Sequence, residues 1–179
     1  MKKKKILLHI CCAPCSIYPI KVLNENNYEV FGFWFNPNIH PFLEYEKRYK
    51  EVKNYMQNNN IKLLEKNEYN LEEFLRNVTF RESQRCRYCY SERLKYAAIY
   101  ARNGKFDYFT TTLLYSKFQN HELIKEIGIN HAKENGVKFL YKDFREGWKY
   151  GINKSKELKM YRQQYCGCIY SERDRYLKN

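Results

Sequence analysis

Short apolar runs alternate with longer amphipathic segments along the chain, and this alternation predicts the fold. Five runs are rich in β-branched and aromatic residues, as buried strands are: residues 5–10, 28–35, 61–65, 106–112 and 137–141. The segments between them repeat apolar residues every three or four positions, which indicates helices. The clearest is residues 42–58, where Tyr45, Tyr49, Val52 and Met56 form one stripe.

Turn and capping residues mark where the predicted helices begin. We expect helices starting near Pro14, Phe42, Asn70, Cys89 and Gln119. Asn70 with Glu73 three residues later is a helix-capping pattern. The two prolines in residues 36–41 predict a loop after the second strand. A second loop, before the helix at Cys89, is expected to carry Arg85 and Cys86.

Strands that alternate with helices predict an α/β fold: a parallel sheet of about five strands with flanking helices and right-handed crossovers, plus a basic C-terminal helical segment. We interpret residues 1–179 as a single domain, with the α/β core over residues 5–143 and a C-terminal segment over residues 144–179. Functional groups collect at the carboxyl ends of such strands. Here these ends carry polar or thiol groups: Cys11 and Cys12, Asn36 and His40, Thr110 to Thr112, Asp143 and Arg145.

Composition adds a partner class to this picture. The formal net charge is +13, and aromatic residues make up 17% of the chain. Distributed Lys and Arg side chains bind phosphates, and aromatic rings stack on unpaired RNA bases. The first apolar run is too short for a signal peptide, and no stretch reaches the about 20 apolar residues of a membrane span. We therefore expect a cytoplasmic protein that contacts nucleic acid.

Five of the seven cysteines form two groups near the N-terminus and in the middle of the chain. Cys11, Cys12 and Cys15 follow the first strand, and Cys86 and Cys89 form a second C-x-x-C pair. Because cytoplasmic thiols stay reduced, these groups indicate metal or redox chemistry rather than structural disulfides. A structural zinc site, an iron–sulfur cluster and a thioredoxin-like dithiol all remain open, and the long spacing favours the cluster.

The last two cysteines form the separate sequence Cys166-Gly167-Cys168. Two cysteines one residue apart chelate a metal poorly but can form a strained, reducible disulfide, so we favour a redox pair over unreactive thiols. Asp143 could bind a metal, donate a proton or pair with Arg145. The chain has no Gly-rich phosphate-binding loop of the ATP or dinucleotide type, which argues against an ATP-dependent tRNA thiolase.

Taken in order, these motifs resemble the cobalamin-independent epoxyqueuosine reductases. The resemblance covers nearly the whole chain. The matching segments are Leu8-His9-Ile10-Cys11-Cys12-Ala13-Pro14-Cys15, Arg85-Cys86-Arg87-Tyr88-Cys89-Tyr90 with Arg93-Leu94, Thr110-Thr111-Thr112-Leu113-Leu114, Asp143-Phe144-Arg145 and Tyr161-Arg162-Gln163-Gln164-Tyr165-Cys166-Gly167-Cys168.

The resemblance implies a cofactor, a site and a Rossmann-like fold similar to that of adenine nucleotide α-hydrolases. It implies a [4Fe–4S] cluster held by four cysteines: Cys11, Cys12, Cys86 and Cys89. It further implies that Cys166 and Cys168 form a redox-active disulfide. Cys15 is left as a replacement cluster ligand or, with Asp143, a ligand of an adjacent mononuclear iron.

The same resemblance implies reduction of the epoxide of epoxyqueuosine at the wobble position of tRNA, the last step of queuosine biosynthesis. The partners would be the tRNA anticodon stem-loop and an electron donor such as a reduced ferredoxin or flavodoxin. Two other readings of the residues stay open here. One is a zinc-stabilised RNA-binding module without catalysis, and the other is a generic thiol–disulfide oxidoreductase that does not need Cys86 or Cys89.

Overall fold

A five-stranded parallel sheet forms the centre of the molecule. The computed structural model describes residues 3–177, so the outermost residues of the predicted domain lie outside it. The strands follow the order β3-β2-β1-β4-β5, and every neighbouring pair is parallel. Their bounds are β1 Lys4–His9, β2 Tyr28–Trp34, β3 Leu63–Glu65, β4 Tyr108–Thr111 and β5 Lys138–Phe139. The predicted fold class is confirmed.

Within residues 3–177, seven α-helices flank the sheet or follow it. They are α1 Ala13–Glu25, α2 Phe42–Asn58, α3 Leu71–Val78, α4 Arg85–Asn103, α5 His121–Asn135, α6 Trp148–Glu157 and α7 Ile169–Tyr176. The capping pattern before α3 is confirmed, because the Asn70 side chain accepts a hydrogen bond from Glu73 N at 3.0 Å.

The predicted loop before Cys89 is wrong, because α4 begins at Arg85. A short 3₁₀ helix over Glu82–Gln84 leads directly into it. The Arg85 side chain fixes this first turn, since it donates to Glu82 O at 3.0 Å and to Asp174 Oδ2 on α7 at 2.6 Å. Both Arg85 and Cys86 are therefore helical.

β1 is the central strand, and its carboxyl end lies at the edge of the sheet where the following loops meet. Its neighbours are β2 and β4, and His9 at its end lies in register with Phe33 and Thr111. Leu7 and Leu8 are fully buried, as expected for a strand covered by helices on both faces. Because three strands end side by side, the loops that follow them meet at one edge.

The C-terminal segment returns to this edge after leaving the sheet. α6 packs against α1, and residues 158–168 then form an irregular stretch before α7. The C-terminal segment is therefore helical as predicted, but an irregular stretch rather than a tight turn separates α6 from α7. Over the described residues, no helix has the length and apolar character needed to cross a membrane.

Candidate active site of clustered thiols

The carboxyl end of β1 carries three thiols in close contact. β1 ends at His9, and α1 begins at Ala13 with Cys12 as its N-cap residue. The sulfurs of Cys11, Cys12 and Cys15 all lie within 4.8 Å of one another. Cys12 and Cys15 are buried, whereas Cys11 is partly exposed. Three soft metal ligands are therefore already assembled at the end of the central strand.

The three thiols hold their protons unequally. Hydrogen bonds from Cys12 and Cys15 lower the pKa of Cys11 well below its ordinary value, and Thr112 Oγ1 also donates to Cys11 Sγ at 3.2 Å. Burial raises the pKa of Cys12, and the hydrogen bond to Cys11 raises the pKa of Cys15. Cys11 is thus the thiol of the three that loses its proton most readily, and metal binding must displace the protons of this group.

His9 lies beside this group but is a structural residue. Its Nδ1 is 2.9 Å from Thr111 Oγ1, and its Nε2 is 3.1 Å from Phe35 O. Both ring nitrogens therefore have partners within the core, and burial lowers the pKa of His9 to about 4. His9 is therefore a buried histidine whose ring is satisfied within the core.

Cys86 and Cys89 form a second group on the first turns of α4. Burial raises the pKa of both thiols, and the charges of Cys166 and Cys168 add to this effect. The pair therefore lies near the third cysteine segment. Within residues 3–177, however, the 4.8 Å group contains only the three thiols at the end of β1. The predicted set of four cluster ligands is not brought within that distance as a single group.

A buried arginine connects the cysteine groups. Arg93 is 2% exposed, and its Nη2 donates to Cys89 Sγ at 2.9 Å while its Nε donates to Cys89 O at 3.1 Å. Burial alone would lower the pKa of Arg93, but the charges of Cys89, Cys166 and Cys11 raise it. Among the described residues no carboxylate lies within ion-pair distance of this guanidinium. Its counter-charge must therefore come from the cysteine sulfurs once they lose their protons, as they do when they bind a metal.

The turn formed by Cys166, Gly167 and Cys168 is docked against the loop after β2 and against α2. His40 N donates to Gly167 O at 2.8 Å, and the buried Arg48 Nη1 donates to Cys166 O at 2.8 Å. These contacts fix the backbone of both thiols. All seven cysteines are free thiols in the structure, so a Cys166–Cys168 disulfide remains a prediction.

Two glutamines donate hydrogen bonds to cysteine sulfurs. Gln163 Nε2 lies 2.9 Å from Cys12 Sγ, and Gln119 Nε2 lies 3.3 Å from Cys166 Sγ. The buried Tyr90 orients the second amide, because its hydroxyl donates to Gln119 Oε1 at 2.7 Å. The sequence did not reveal either contact, since each joins residues that lie far apart in the chain. The spacing of Arg93, one helical turn after Cys89, is the one local signal for these interactions.

Asp143 lies at the carboxyl edge and is paired with Arg145. The Arg145 Nε donates to both carboxylate oxygens, at 2.9 and 3.0 Å, and its backbone N donates to Oδ1 at 2.9 Å. Hydrogen bonding from Arg145 lowers the pKa of Asp143 to about 2. The carboxylate is therefore ionised at neutral pH and unsuited to donating a proton there. Its recorded hydrogen bonds do not join it to a thiol.

The chemistry of this donor set fits an iron–sulfur cluster. The three assembled ligands are all sulfurs, and the cation Arg93 donates a hydrogen bond to the sulfur of Cys89 in the second group. Amide and hydroxyl donors from Gln163 and Thr112 point at the sulfurs, as donors do around anionic metal–thiolate groups.

Comparison with known proteins agrees with these motifs. The sequence model of a family described as "Epoxyqueuosine reductase QueH" matches residues 6–174. A relative named epoxyqueuosine reductase QueH in Dehalococcoides mccartyi is 38% identical, over 97% of this chain and 96% of its own length. One of the same name in Thermotoga maritima is also 38% identical, over 93% of this chain and 89% of its own length.

A solved structure has the same fold. It is a protein from Methanocaldococcus jannaschii described as a "predicted subunit of tRNA methyltransferase", with a TM-score of 0.56 and 10% identity. The match covers 86% of this chain and 75% of the other. At this identity the comparison supports only the architecture, a parallel sheet with flanking helices.

Proposed function

Because the chain belongs to the epoxyqueuosine reductase QueH family and is an oxidoreductase, we propose that it reduces the epoxide of epoxyqueuosine at the wobble position of tRNA. The product is queuosine. Removing the epoxide oxygen takes two electrons and two protons and leaves a carbon–carbon double bond and water. The observation that most supports this proposal is that three distant cysteine segments approach one buried cation, Arg93, at the sheet edge.

By resemblance to the family, we assign the cofactor to four cysteines from two of these segments. Cys11, Cys12, Cys86 and Cys89 would hold a [4Fe–4S] cluster, which supplies single electrons and a Lewis-acidic iron. Cys15 would bind an adjacent mononuclear iron. Asp143 is a second candidate ligand of that iron, because it is held as a carboxylate.

The proposed mechanism also uses the thiols of Cys166 and Cys168 and the residues that position them. Cys166 and Cys168 would give two electrons and two protons when they are oxidised to a disulfide, which matches the demand of one turnover. Gln119 and Arg48 hold Cys166 in place, through its sulfur and its carbonyl oxygen. A reduced ferredoxin or flavodoxin would then restore the dithiol. In this assignment the dithiol of Cys166 and Cys168 lies at the carboxyl edge of the sheet, where the nucleoside must enter.

The substrate would be the anticodon stem-loop of tRNA in the cytoplasm. A net charge of +13 suits a polyanion. The modified base must leave its stack to reach Cys166 at the sheet edge, which is the usual mode of protein access to RNA bases.

Loss of one ligand on α4 tests the proposal. We expect Cys86→Ala to lose its iron and sulfide and to lose conversion of epoxyqueuosine-containing tRNA. A matched control is Arg87→Ala, the exposed neighbour that pairs with Glu126 at 2.7 Å, which should keep both properties. The measurements are anaerobic iron and sulfide counts and nucleoside analysis of the treated tRNA. Full conversion by an iron-free Cys86→Ala protein would refute the assignment, and a colourless wild type with bound zinc would favour an RNA-binding module.

A further inference from the structure

A large aromatic side chain is exposed to solvent at the edge of the thiol site. Phe118 lies between β4 and α5 and is 84% exposed. Its neighbour Gln119 donates to Cys166 Sγ at 3.3 Å, so Phe118 is one residue from a side chain that touches the site. An exposed phenylalanine ring leaves apolar area in water that a ligand could cover.

The exposure of Phe118 is not a result of a loose loop. Its backbone N donates to Ser116 Oγ at 3.2 Å, and Asn120 N donates to Tyr90 OH at 3.3 Å. The Asn120 side chain also caps α5 by accepting from Leu123 N at 3.1 Å. Both sides of Phe118 are thus fixed by hydrogen bonds, and the ring is presented outward from a held backbone.

An aromatic row leads from the thiols to this ring. Tyr115 is buried near Cys12 and Cys15, whose charges add to burial in raising its pKa. It stacks on Trp148 with ring centroids 5.2 Å apart and planes at 26°. The edge of Trp148 in turn meets Phe118 at 5.9 Å. The Phe118 ring is therefore the outer end of a row of aromatic side chains that begins beside Cys12 and Cys15.

The charges around the row fit a polyanion. Lys117 Nζ lies 5.6 Å from the Trp148 ring, and both Lys117 and Lys149 are exposed. A flat exposed ring beside cations is the composition of single-stranded nucleic acid sites, where bases stack on the ring and cations hold the phosphates. A purely apolar partner surface would not need the two lysines.

We propose that Phe118, with Trp148 behind it and Lys117 beside it, is a stacking site for an unpaired nucleobase next to the modified nucleoside. The inference rests on the proposed function, because it takes the RNA substrate from there. It assigns a definite contact to that substrate: the flanking base stacks on Phe118 while the modified base enters toward Cys166.

Fluorescent anticodon stem-loops test this contact. The probe is a stem-loop RNA with 2-aminopurine immediately 5′ or 3′ of the wobble position, titrated into the iron-loaded protein. We expect a stacking-dependent change of fluorescence at one of these positions for the wild type. Phe118→Ala should lose that change and bind the RNA roughly 5–100-fold more weakly, whereas Phe118→Trp should keep both. Ile129→Ala, an exposed apolar residue of α5, is the matched control and should behave as wild type.

Two further measurements, the salt dependence of binding and the affinity of Phe118→Leu, distinguish base stacking from other contacts. Phe118→Ala should leave the slope of log affinity against log salt unchanged, and Lys117→Ala should reduce it by about 0.7. Phe118→Leu should fail like alanine, because leucine has no ring. Wild-type binding by Phe118→Ala or by Phe118→Leu would overturn the proposal, the latter because it indicates general apolar docking such as a protein partner.

The two proposals fail in distinguishable ways. If the wild type converts epoxyqueuosine RNA and Phe118→Ala binds normally, the stacking site is refuted and the proposed function stands. If the wild type stacks the probe but never converts the RNA, the stacking site stands and the proposed function fails. Absence of RNA binding by the loaded wild type refutes both. Iron content and thermal stability of each variant confirm that the fold is intact.

Discussion

At the scale of single residues, Arg93 sets the electrostatics of the thiol site. It is a buried guanidinium whose hydrogen bonds go to the sulfur and carbonyl oxygen of Cys89. Leaving a buried charge without a counter-ion costs several kcal/mol, so the site must carry negative charge in its working form. A cluster with four thiolate ligands is anionic and meets this requirement.

Replacement of Arg93 by an uncharged side chain of similar length should weaken binding of the proposed cofactor. We expect Arg93→Met to lower iron retention under a chelator roughly 10–100-fold, because it removes the cation beside Cys89. Any cluster that remains should be reduced at a lower potential, since adding an electron loses its electrostatic support. Arg93→Lys keeps the charge and is the control. Iron counts and a spectroscopic redox titration measure both effects, and a wild-type potential in Arg93→Met would show that other groups balance the charge.

At the scale of elements, α2 holds the turn at residues 166–168 through one side chain. Arg48 is buried, pairs with Glu44 Oε1 at 2.6 Å and donates to the carbonyl oxygens of Tyr165 and Cys166. A planar guanidinium can reach a carboxylate and two carbonyls at once, which a lysine ammonium cannot reproduce. The helix therefore determines where Cys166 lies relative to the other thiols.

Arg48→Lys should uncouple turnover from cofactor binding. We expect conversion of the tRNA to fall about ten- to a hundredfold, because a displacement of about 1 Å at a reacting group has that effect. Iron content should stay at the wild-type level, since the proposed cluster ligands do not lie on α2. Lys50→Met, on the exposed face of the same helix, provides the control. Parallel loss of iron and activity in Arg48→Lys would contradict this separation.

The elements also show how far the sequence alone can lead. The five strands and the helix over residues 42–58 were predicted because hydrophobic periodicity is a local property. The start of α4 was missed, because Arg85 is fixed by Asp174, a residue of another helix. The cysteine groups were visible as motifs. The contacts of Gln119 and Gln163 were not, since they exist only after the C-terminal segment docks.

At the scale of the whole molecule, stability is linked to buried histidines. Burial lowers the pKa of His40 to about 4, and Ile169 N donates to its Nδ1 at 3.3 Å, which requires an unprotonated nitrogen. The unfolded chain takes up a proton near the ordinary histidine pKa of about 6.5. The contribution of His40 is therefore complete above that pH, declines as the pH falls to about 4, and is constant below.

His40→Asn should reduce the acid sensitivity of the fold. The shift from about 6.5 to about 4 corresponds to about 3 kcal/mol between these pH values, and asparagine can still accept from Ile169 N without titrating. Urea unfolding of wild type and variant, from pH of about 7 to about 4.5, measures the difference in slope. The variant will keep a slope from His9, whose pKa is lowered equally. Identical pH profiles for the two proteins would contradict the role of His40.

The docking of residues 166–168 on His40 and Arg48 has a consequence for biosynthesis. The first thiols leave the ribosome early, but their surroundings are supplied by α4 and finally by Gln163 and the turn at Gly167. The nascent chain thus exposes reactive sulfurs well before anything covers them. Insertion of the proposed cofactor would therefore follow synthesis, and a cell making this protein under air would need to protect Cys11, Cys12 and Cys15 from oxidation until the last helices are in place.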